Sequence, residues 1–461
     1  MPDNNRTIDD IVSLAKRRGF VFPSSEIYGG FAGVYDYGPY GTELAHNLKS
    51  AWWRQMVGER SDIVGLNSAI FMNPKVWQSS GHTAGFSDPL VECKRCHARE
   101  RADHLLESIS VFADEKMSEE EIGRLFESHK KDIVCGTCGE SDFTGVKLFN
   151  LLVSSNLGNF TGEKKDDVYL RGETAQGIYV NFKNVSDTMH MKLPFGIAQI
   201  GKAFRNEITP RQYILRTREF EQMEMQYFTS PETDMDEFEK LKEYRFNALL
   251  SLGLKKENLR WKKHDNLVFY AKEAFDIEYN YPSFGWKELE GIHARGDYDL
   301  SVHQNGSGAD LSYFDEESGK RFIPHVVESS IGVGRLFLAI LSDAYVEEEV
   351  RGEKRIVLKL DKRLAPVRIA ILPLSKKEEL IRGAMGVYKK LKSAHMCAYD
   401  DTQSIGKRYR RQDEIGTPYC ITYDFDSIND FAVTVRERDS MAQERVKIDE
   451  LEEYFREKFV P

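Results

Sequence analysis

The stretch "RNEITPRQYILRTREFEQMEMQYF", residues 205–228, concentrates groups that could do chemistry. Arg205, Arg216 and Arg218 flank a polar loop. Guanidinium forks suit phosphate and can stack on a purine ring. Phe220 offers an opposite face for such a stack. If 220–228 is a strand, Met223, Met225 and Tyr227 share one face and read as core. Gln222, Glu224 and Gln226 share the other, an unusual set for an otherwise apolar strand. The plainer reading pairs the arginines with Glu207, Glu219 and Glu221 on the surface. It accounts for the charges but not for the amide- and carboxylate-bearing face.

A second constellation is "PHVVESSIGVGR", 324–335. It reads as a strand, a tight turn at Gly332 and Gly334, then a helix. Arg335 falls in the first helical turn, where the helix dipole disfavours a cation and a polyanionic ligand would compensate it. The alternative is an Arg that simply reaches solvent. A third is the pair "CKRC" and "CGTC": Cys93, Cys96, Cys135 and Cys138 have metal-ligand spacing and suit structural zinc, with reduced structural or redox cysteines as the other reading. Cys397 and Cys420 read as small buried residues.

These groups need elements to hold them. "PFGIAQIGKAFRNEI", 194–208, is the partner strand of 220–228 in a long antiparallel hairpin. Gln199, Gly201, Ala203 and Arg205 share its face, three of them small or neutral, so a flat ligand could approach the backbone. Residues 7–20 read as a helix. In 29–57 a Gly- and Tyr-rich loop leads into a helix with Leu44, Leu48, Trp52 and Met56 on one face. Residues 230–254 read as a helix capped by Ser230. The charged segment 346–366 reads as a linking loop. After it, "VRIAILPL" (367–374) and a helix at 376–394 suggest an independent α/β domain with a parallel sheet.

At 461 residues, the chain has room for two to four domains. It is 41% hydrophobic and 30% charged, and its net charge of −10 argues against a generic nucleic-acid coater but not against a specific RNA-binding enzyme. No apolar run approaches the roughly 20 residues of a membrane span, and the polar N-terminus does not read as a signal peptide. A cytoplasmic protein is expected.

Strand–"FRNE"–loop–"RTREFEQMEMQYF" resembles motif 2 of the class II aminoacyl-tRNA synthetases, and "GVGRLFLAIL" resembles their motif 3. "YDYGPYGTELAHNLKSAWWRQMV" and "FMNPKVWQSSGH" are similar to the motif 1 region that forms the dimer interface. Further segments, among them "GHTAGFSDPLVEC", "LRGETAQGIYVNF", "WKELEGIHARGDYDL" and "YRRQDEIGTPYCITYDFD", resemble the glycine-specific, homodimeric branch in order over nearly the whole chain. Gly172 and Ser329 stand where that branch often has Pro. Relatives that have become catalytically dead RNA- or DNA-binding accessories typically lose the motif 2 and motif 3 arginines, and Arg205 and Arg335 are present. Synthetases for proline, threonine, serine or histidine compete with the glycine assignment, and the carboxylate-rich pocket argues against them.

The resemblance implies an α+β catalytic domain on an antiparallel sheet (1–89 and 151–345), a Cys₄ insertion (90–150), a linker (346–366) and a C-terminal α/β anticodon-binding domain (367–461). It implies ATP-dependent activation of glycine and transfer to tRNA(Gly). Side synthesis of diadenosine tetraphosphate is compatible with this. Arg205 and Arg335 are the expected catalytic residues. The ATP site would comprise Arg205, Asn206, Glu207, Leu215, Arg216, Thr217, Arg218, Glu219, Phe220, Glu288, Leu289, Gly332, Val333, Gly334 and Arg335, with Mg²⁺ on Glu288 and Arg295 a further aid to the phosphates. The glycine site would draw on Arg101, Glu173, Phe220, Glu221, Gln222, Met223, Glu224, Glu328, Ser329, Ser330, Ile331 and Gly332. In the C-terminal domain, Lys407, Arg408, Arg410 and Arg411 form either an RNA-facing cluster or a solvated helix face.

Overall fold

The structure, a computed structural model, describes residues 6–113, 117–157, 166–207, 212–264, 272–350 and 352–459. Its largest sheet has seven strands: β1 (Ile63–Gly65), β2 (Phe195–Phe204), β3 (Glu219–Thr229), β4 (Leu259–Lys263), β5 (Glu273–Tyr281), β6 (Gly285–Gly296) and β7 (His325–Gly332). They lie in the order β4-β5-β6-β7-β3-β2-β1. Every neighbouring pair is antiparallel except the short β1 beside β2. The hairpin expected from the sequence is β2–β3, in register from Glu219↔Phe204 to Phe228↔Phe195. Part of its connecting loop, 208–211, lies outside the described residues.

Strand alternation divides this sheet chemically. On one face Met223, Met225, Tyr227, Leu289, Ile292 and Ile331 join a large core. Helix α1 (Ile8–Arg17), helix α2 (Pro39–Trp53), helix α3 (Asp234–Ser251) and helix α4 (Val333–Ala344) contribute to that core. Leu44, Leu48, Trp52 and Met56 are all fully buried, as four-residue spacing on one helical face requires. Polar groups of β3 and β7 are left to the other face. Helix α3 starts later than Ser230: the hydroxyls of Thr229, Ser230 and Thr233 bond one another in a turn, and the helix begins at Asp234.

Residues 346–358 are not a loop. Strands β8 (Tyr345–Val350) and β9 (Glu353–Leu358) form a hairpin turning at Gly352, whose φ is +78°. Across the hairpin Val346 pairs with Val357 and Tyr345 with Leu358, while the consecutive acids Glu347, Glu348 and Glu349 obscure any strand period in the sequence. Arg355 ties the hairpin to the C-terminal unit, donating to Asp413 at 2.9 Å, and also donates to Glu348 at 2.8 Å.

The C-terminal unit is a mixed five-stranded sheet. Ile369–Pro373 lies between Cys397–Tyr399 and Tyr419–Tyr423, all parallel, and Ala432–Glu437 and Gln443–Lys447 continue antiparallel. Arg408, on the helix Ile405–Ile415, is neither solvated nor free for RNA. It is buried and donates to the carbonyls of Pro373, Asp401, Thr402 and Gln403. Arg410 and Arg411 pair with Glu353 and Asp400. Cys420 is buried and Cys397 is half-buried.

Between the two halves of the main sheet domain, Ser87–Glu92 pairs with Arg99–Arg101 and Lys147–Asn150. This small sheet shares a separate core with Leu106, Phe126, Ile133 and Phe143. No helix among the described residues is long and apolar enough to cross a membrane. Leu48→Ala would open a cavity where helix α2 meets the sheet and should cost about 2–5 kcal/mol; urea unfolding measures it, and an unchanged midpoint would contradict the packing described.

Candidate active site

The polar face of β3 is built by cross-strand register. Gln222, Glu224 and Gln226 lie opposite Gly332, Ser330 and Glu328 of β7. On the other side Glu224 faces Gln199 and Gln222 faces Gly201 of β2. Beyond β7, His293 of β6 lies opposite Glu328. A short segment after the strand Asp166–Leu170 roofs this floor: Thr174 donates its backbone N–H to Gln222 Oε1 at 3.1 Å and its hydroxyl to Glu224.

Three carboxylates converge here. The Gln226 amide donates to Glu328 at 2.8 Å and reaches Glu224 at 3.5 Å, while its carbonyl oxygen accepts from Tyr179 Oη at 2.8 Å. Glu328 also accepts from His293 Nδ1 at 2.9 Å and Arg295 Nη1 at 3.2 Å. Arg295 is itself held by Asp299 at 2.7 and 2.9 Å. Glu173 accepts from Gln176 at 2.8 Å and lies 3.3 Å from His82 Nε2.

Their protonation differs with their partners. Burial opposes ionisation of all three. Arg295 and His293 overcome it at Glu328, whose pKa falls to about 2. His82 does the same for Glu173, which is held well below the usual carboxylate range. Glu224 gains no cation of its own; burial and then the Glu328 and Glu173 charges push it up to about 8. The pocket thus has one carboxyl whose surroundings favour its protonated form.

A positive region adjoins it. Arg205 donates to the Gly172 carbonyl at 3.1 Å and its guanidinium sits between the Phe86 and Phe220 rings, 5.3 and 5.4 Å from their centroids. Arg216 pairs with Glu207 at 2.7 Å, and Arg218 donates to the Glu207 carbonyl at 2.8 Å. Arg335, in the first turn of helix α4, pairs with Glu288 at 2.8 Å. A protein carboxylate therefore supplies part of the compensation that the helix terminus demands.

Sequence profiles of two kinds match this architecture. One, described as the tRNA synthetase class II core domain (G, H, P, S and T), covers residues 159–344; another, the anticodon binding domain, covers 368–458. Glycine–tRNA ligase of Acetivibrio thermocellus is 52% identical, over 98% of this chain and 99% of that protein. Glycine–tRNA ligase of Streptomyces coelicolor is also 52% identical, over 98% of each chain. This chain belongs to the glycine–tRNA ligase family, among the class II aminoacyl-tRNA synthetases. The crystal structure of prolyl-tRNA synthetase from Cryptosporidium parvum with halofuginone and AMPPNP shares the fold, with a TM-score of 0.62 at 16% identity, covering 98% of this chain and 76% of that one.

Several ligase-site residues expected from sequence lie elsewhere. Met223, Ile331, Leu289 and Val333 point into the core on the opposite face, because strand and helix periodicity carries them there. Glu221 also lies on that side, 3.0 Å from Lys49 Nζ. Ser329 donates to Glu290 at 2.7 Å, within a buried pair of Glu290 with Arg245 of helix α3. Lys202 takes up Glu219 at 2.7 Å, and the Thr217 hydroxyl donates to the Glu219 carbonyl. Leu215 is buried, and Asn206 lies on the rim, its N–H bonded to the Leu151 carbonyl. Gly332 and Gly334 form no turn; β7 runs directly into helix α4. Gly334 is needed because a Cβ there would lie 2.7 Å from the Ile214 carbonyl oxygen. At Gly201 the space expected for a ligand is taken by Arg171, whose Nη2 would lie 2.2 Å from a Cβ.

Arg101 is tied to the site through a relay. It pairs with Asp88 at 2.7 Å and Asp103, and Asp88 lies 3.9 Å from Arg216. The residues missed by sequence reasoning are Thr174, Tyr179, His82, Phe86 and His293. Their segments "LRGETAQGIY" and "GHTAGF" stood out as motifs, but only folding shows which side chains face inward. The cysteines Cys93, Cys96, Cys135 and Cys138 do come together: Sγ separations are 3.6 Å for Cys93–Cys138 and for Cys96–Cys135, with all four within 4.8 Å. A tetrahedron of thiolates ~2.3 Å from zinc has edges of roughly 3.8 Å, so the donors fit.

The Glu224 carboxyl sets a pH dependence. Unfolded, it loses its proton near the ordinary 4.5; folded, it keeps it to about 8. Between these values the folded chain binds more protons, so this group makes stability fall as pH rises. Glu224→Gln removes that loss. Its melting temperature relative to wild type should rise from about pH 5 to about pH 8; a constant difference would exclude the shift.

Proposed function

We propose that this pocket activates glycine with ATP and transfers it to tRNA(Gly). The supporting observation is that two regions of opposite sign adjoin at the polar face of the sheet, with Arg205 bonded to the carbonyl of Gly172 next to Glu173. One is a small pocket with Glu173, Glu224, Glu328, Gln222 and Ser330; the other is the Arg205, Arg216, Arg218 and Arg335 region. The pocket suits an ammonium on a substrate with no side chain. As the ammonium enters, Glu224 gives up its proton and gains a counter-ion. Any larger amino acid is rejected by clash, which a rigid site achieves without editing.

In this reading a glycine carboxylate oxygen attacks the α-phosphorus in line. A P–O bond forms as the bond to pyrophosphate breaks, leaving glycyl-adenylate. The terminal ribose hydroxyl of the tRNA then attacks the glycyl carbonyl, and AMP leaves with the electron pair. Arg205 holds the α-phosphate and the glycine carboxylate. Arg216 and Arg218 hold phosphates, and Arg335 meets the γ-phosphate end while stacking on adenine opposite Phe220. In this reading Glu288, paired with Arg335 at 2.8 Å, would hold the Mg²⁺ bound with ATP. Catalysis is then positioning and charge neutralisation, with no protein nucleophile.

The same reading assigns catalysis to 1–89 and 151–345, anticodon binding to 367–461, and zinc to the four cysteines of the insertion. It makes the enzyme a cytoplasmic homodimer, and the exposed Ile27, Tyr28 and Phe31 belong to a surface that suits burial by a partner.

Pyrophosphate exchange tests the core of this reading. Exchange should require glycine; exchange with another amino acid in its place, or none at all, would refute it. Glu224→Ala should reduce glycine-dependent exchange at least about 100-fold, with ATP binding retained, since it removes a desolvated charge partner of the ammonium. Near-normal exchange would sink the assigned role. Metal analysis should find zinc that Cys96→Ser or Cys138→Ser releases; equal zinc content in variant and wild type would place the ion elsewhere.

A further inference from the structure

The functional reading gives no role to His264, to Asp276 or to the Nε2 side of His293, whose Nδ1 holds Glu328. They come from three adjacent places on one sheet face: His264 just past β4, Asp276 on β5 and His293 on β6. The His264 backbone N–H is bonded to the Ala274 carbonyl at 3.0 Å, which fixes its position beside β5. We propose that these three side chains form a second metal site, for a divalent cation of zinc-like preference, beside the amino-acid pocket. The site itself does not rest on the proposed substrate.

Three observations carry this. First, His264 Nε2, a carboxylate oxygen of Asp276 and a ring nitrogen of His293 all lie within 4.8 Å of one another. His264 Nε2 is 2.8 Å from Asp276 Oδ2, and His293 Nε2 is 3.9 Å from Oδ1. Around a tetrahedral ion with bonds of ~2.0–2.1 Å, neighbouring donors stand roughly 3.3 Å apart. The first separation need only open slightly and the second close slightly. Secondly, His264 Nε2 and His293 Nε2 are both buried, and neither makes a hydrogen bond of acceptable geometry. The other nitrogen of His293, Nδ1, is committed to Glu328 at 2.9 Å. In its neutral state, with Nδ1–H donating to Glu328, this imidazole presents Nε2 as a lone pair, the arrangement typical of a ligating histidine with its supporting partner. Facing the Asp276 carboxylate, that lone pair calls for a cation between them.

Thirdly, Gly291 leaves the necessary room. It precedes His293 by two residues on the same strand face. A Cβ there would lie 3.1 Å from His293 Nε2 and 3.7 Å from Asp276 Oδ1. Two imidazoles and one carboxylate match zinc in preference to magnesium, and they leave at least one position for water or a substrate oxygen. Through His293 the ion would also fix the orientation of Glu328.

The charged groups around the cluster allow one competing arrangement. In it protonated His264 pairs with Asp276 at 2.8 Å and doubly protonated His293 bridges Asp276 to Glu328, with no ion. Cobalt loading of the full chain separates the two. Thiolate-bound Co²⁺ at the four cysteines gives intense charge-transfer absorption; Co²⁺ on two imidazoles and a carboxylate gives only weak visible bands. Wild type should bind two Co²⁺ per chain, and Cys96→Ser should lose the intense bands while keeping the weak ones. His264→Ala and Asp276→Asn should lose the weak bands alone, with affinity for that ion reduced more than about tenfold. Gly291→Ala keeps all three ligands but fills the space and should also weaken that ion; it decides the matter if either ligand variant is unstable by thermal unfolding. A stoichiometry of one, or weak bands unchanged in the folded variants, would overturn the proposal.

Discussion

Like charges in a space that excludes water set the terms for this fold. Glu173, Glu224 and Glu328 face one pocket, two of them buried and Glu173 partly so, and neighbouring carboxylates in such a place need compensation. Compensation arrives from separate parts of the chain. Arg295 and His293 come from β6, His82 from the segment before the insertion, and Gln226 and Thr174 supply hydrogen bonds. Glu224 is left to hold a proton. The pocket is therefore left with incomplete neutralisation of its carboxyl groups.

Holding such a set in place requires a rigid platform. Antiparallel pairing of β3 with β2 and β7 fixes the spacing of the three polar rows. Beneath, the buried Arg245–Glu290 pair, 2.6 Å apart, joins helix α3 to β6, and Ser329 completes it from β7. Buried ion pairs are weak net stabilisers, but their loss leaves an uncompensated charge. This one is better understood as specifying how the helix seats under the strands than as a source of stability.

The positive region is organised differently, through relays that cross domain boundaries. Arg101 of the insertion reaches Arg216 through Asp88, and Arg216 in turn holds Glu207. The small sheet that carries Cys93 is thereby tied to Arg216 and Glu207. At the other end, Arg18 beside helix α1 pairs with Glu414 of the C-terminal unit at 2.6 Å.

By itself, the sequence determined what is local or periodic. Strand alternation separated Glu224 from Met223, four-residue spacing marked the buried face of helix α2, and paired C-x-x-C motifs implied a tetrad. These properties follow from backbone geometry and need no knowledge of partners. Tertiary structure decided everything that depends on who lies opposite whom. It turned the charged 346–358 segment into a hairpin, buried Arg408 among carbonyl oxygens, gave Arg335 a carboxylate, and filled the space over Gly201 with Arg171. It also brought His264, Asp276 and His293 together across three strands. Register between distant strands fixes such meetings, and a one-residue slip would send each side chain to the other face.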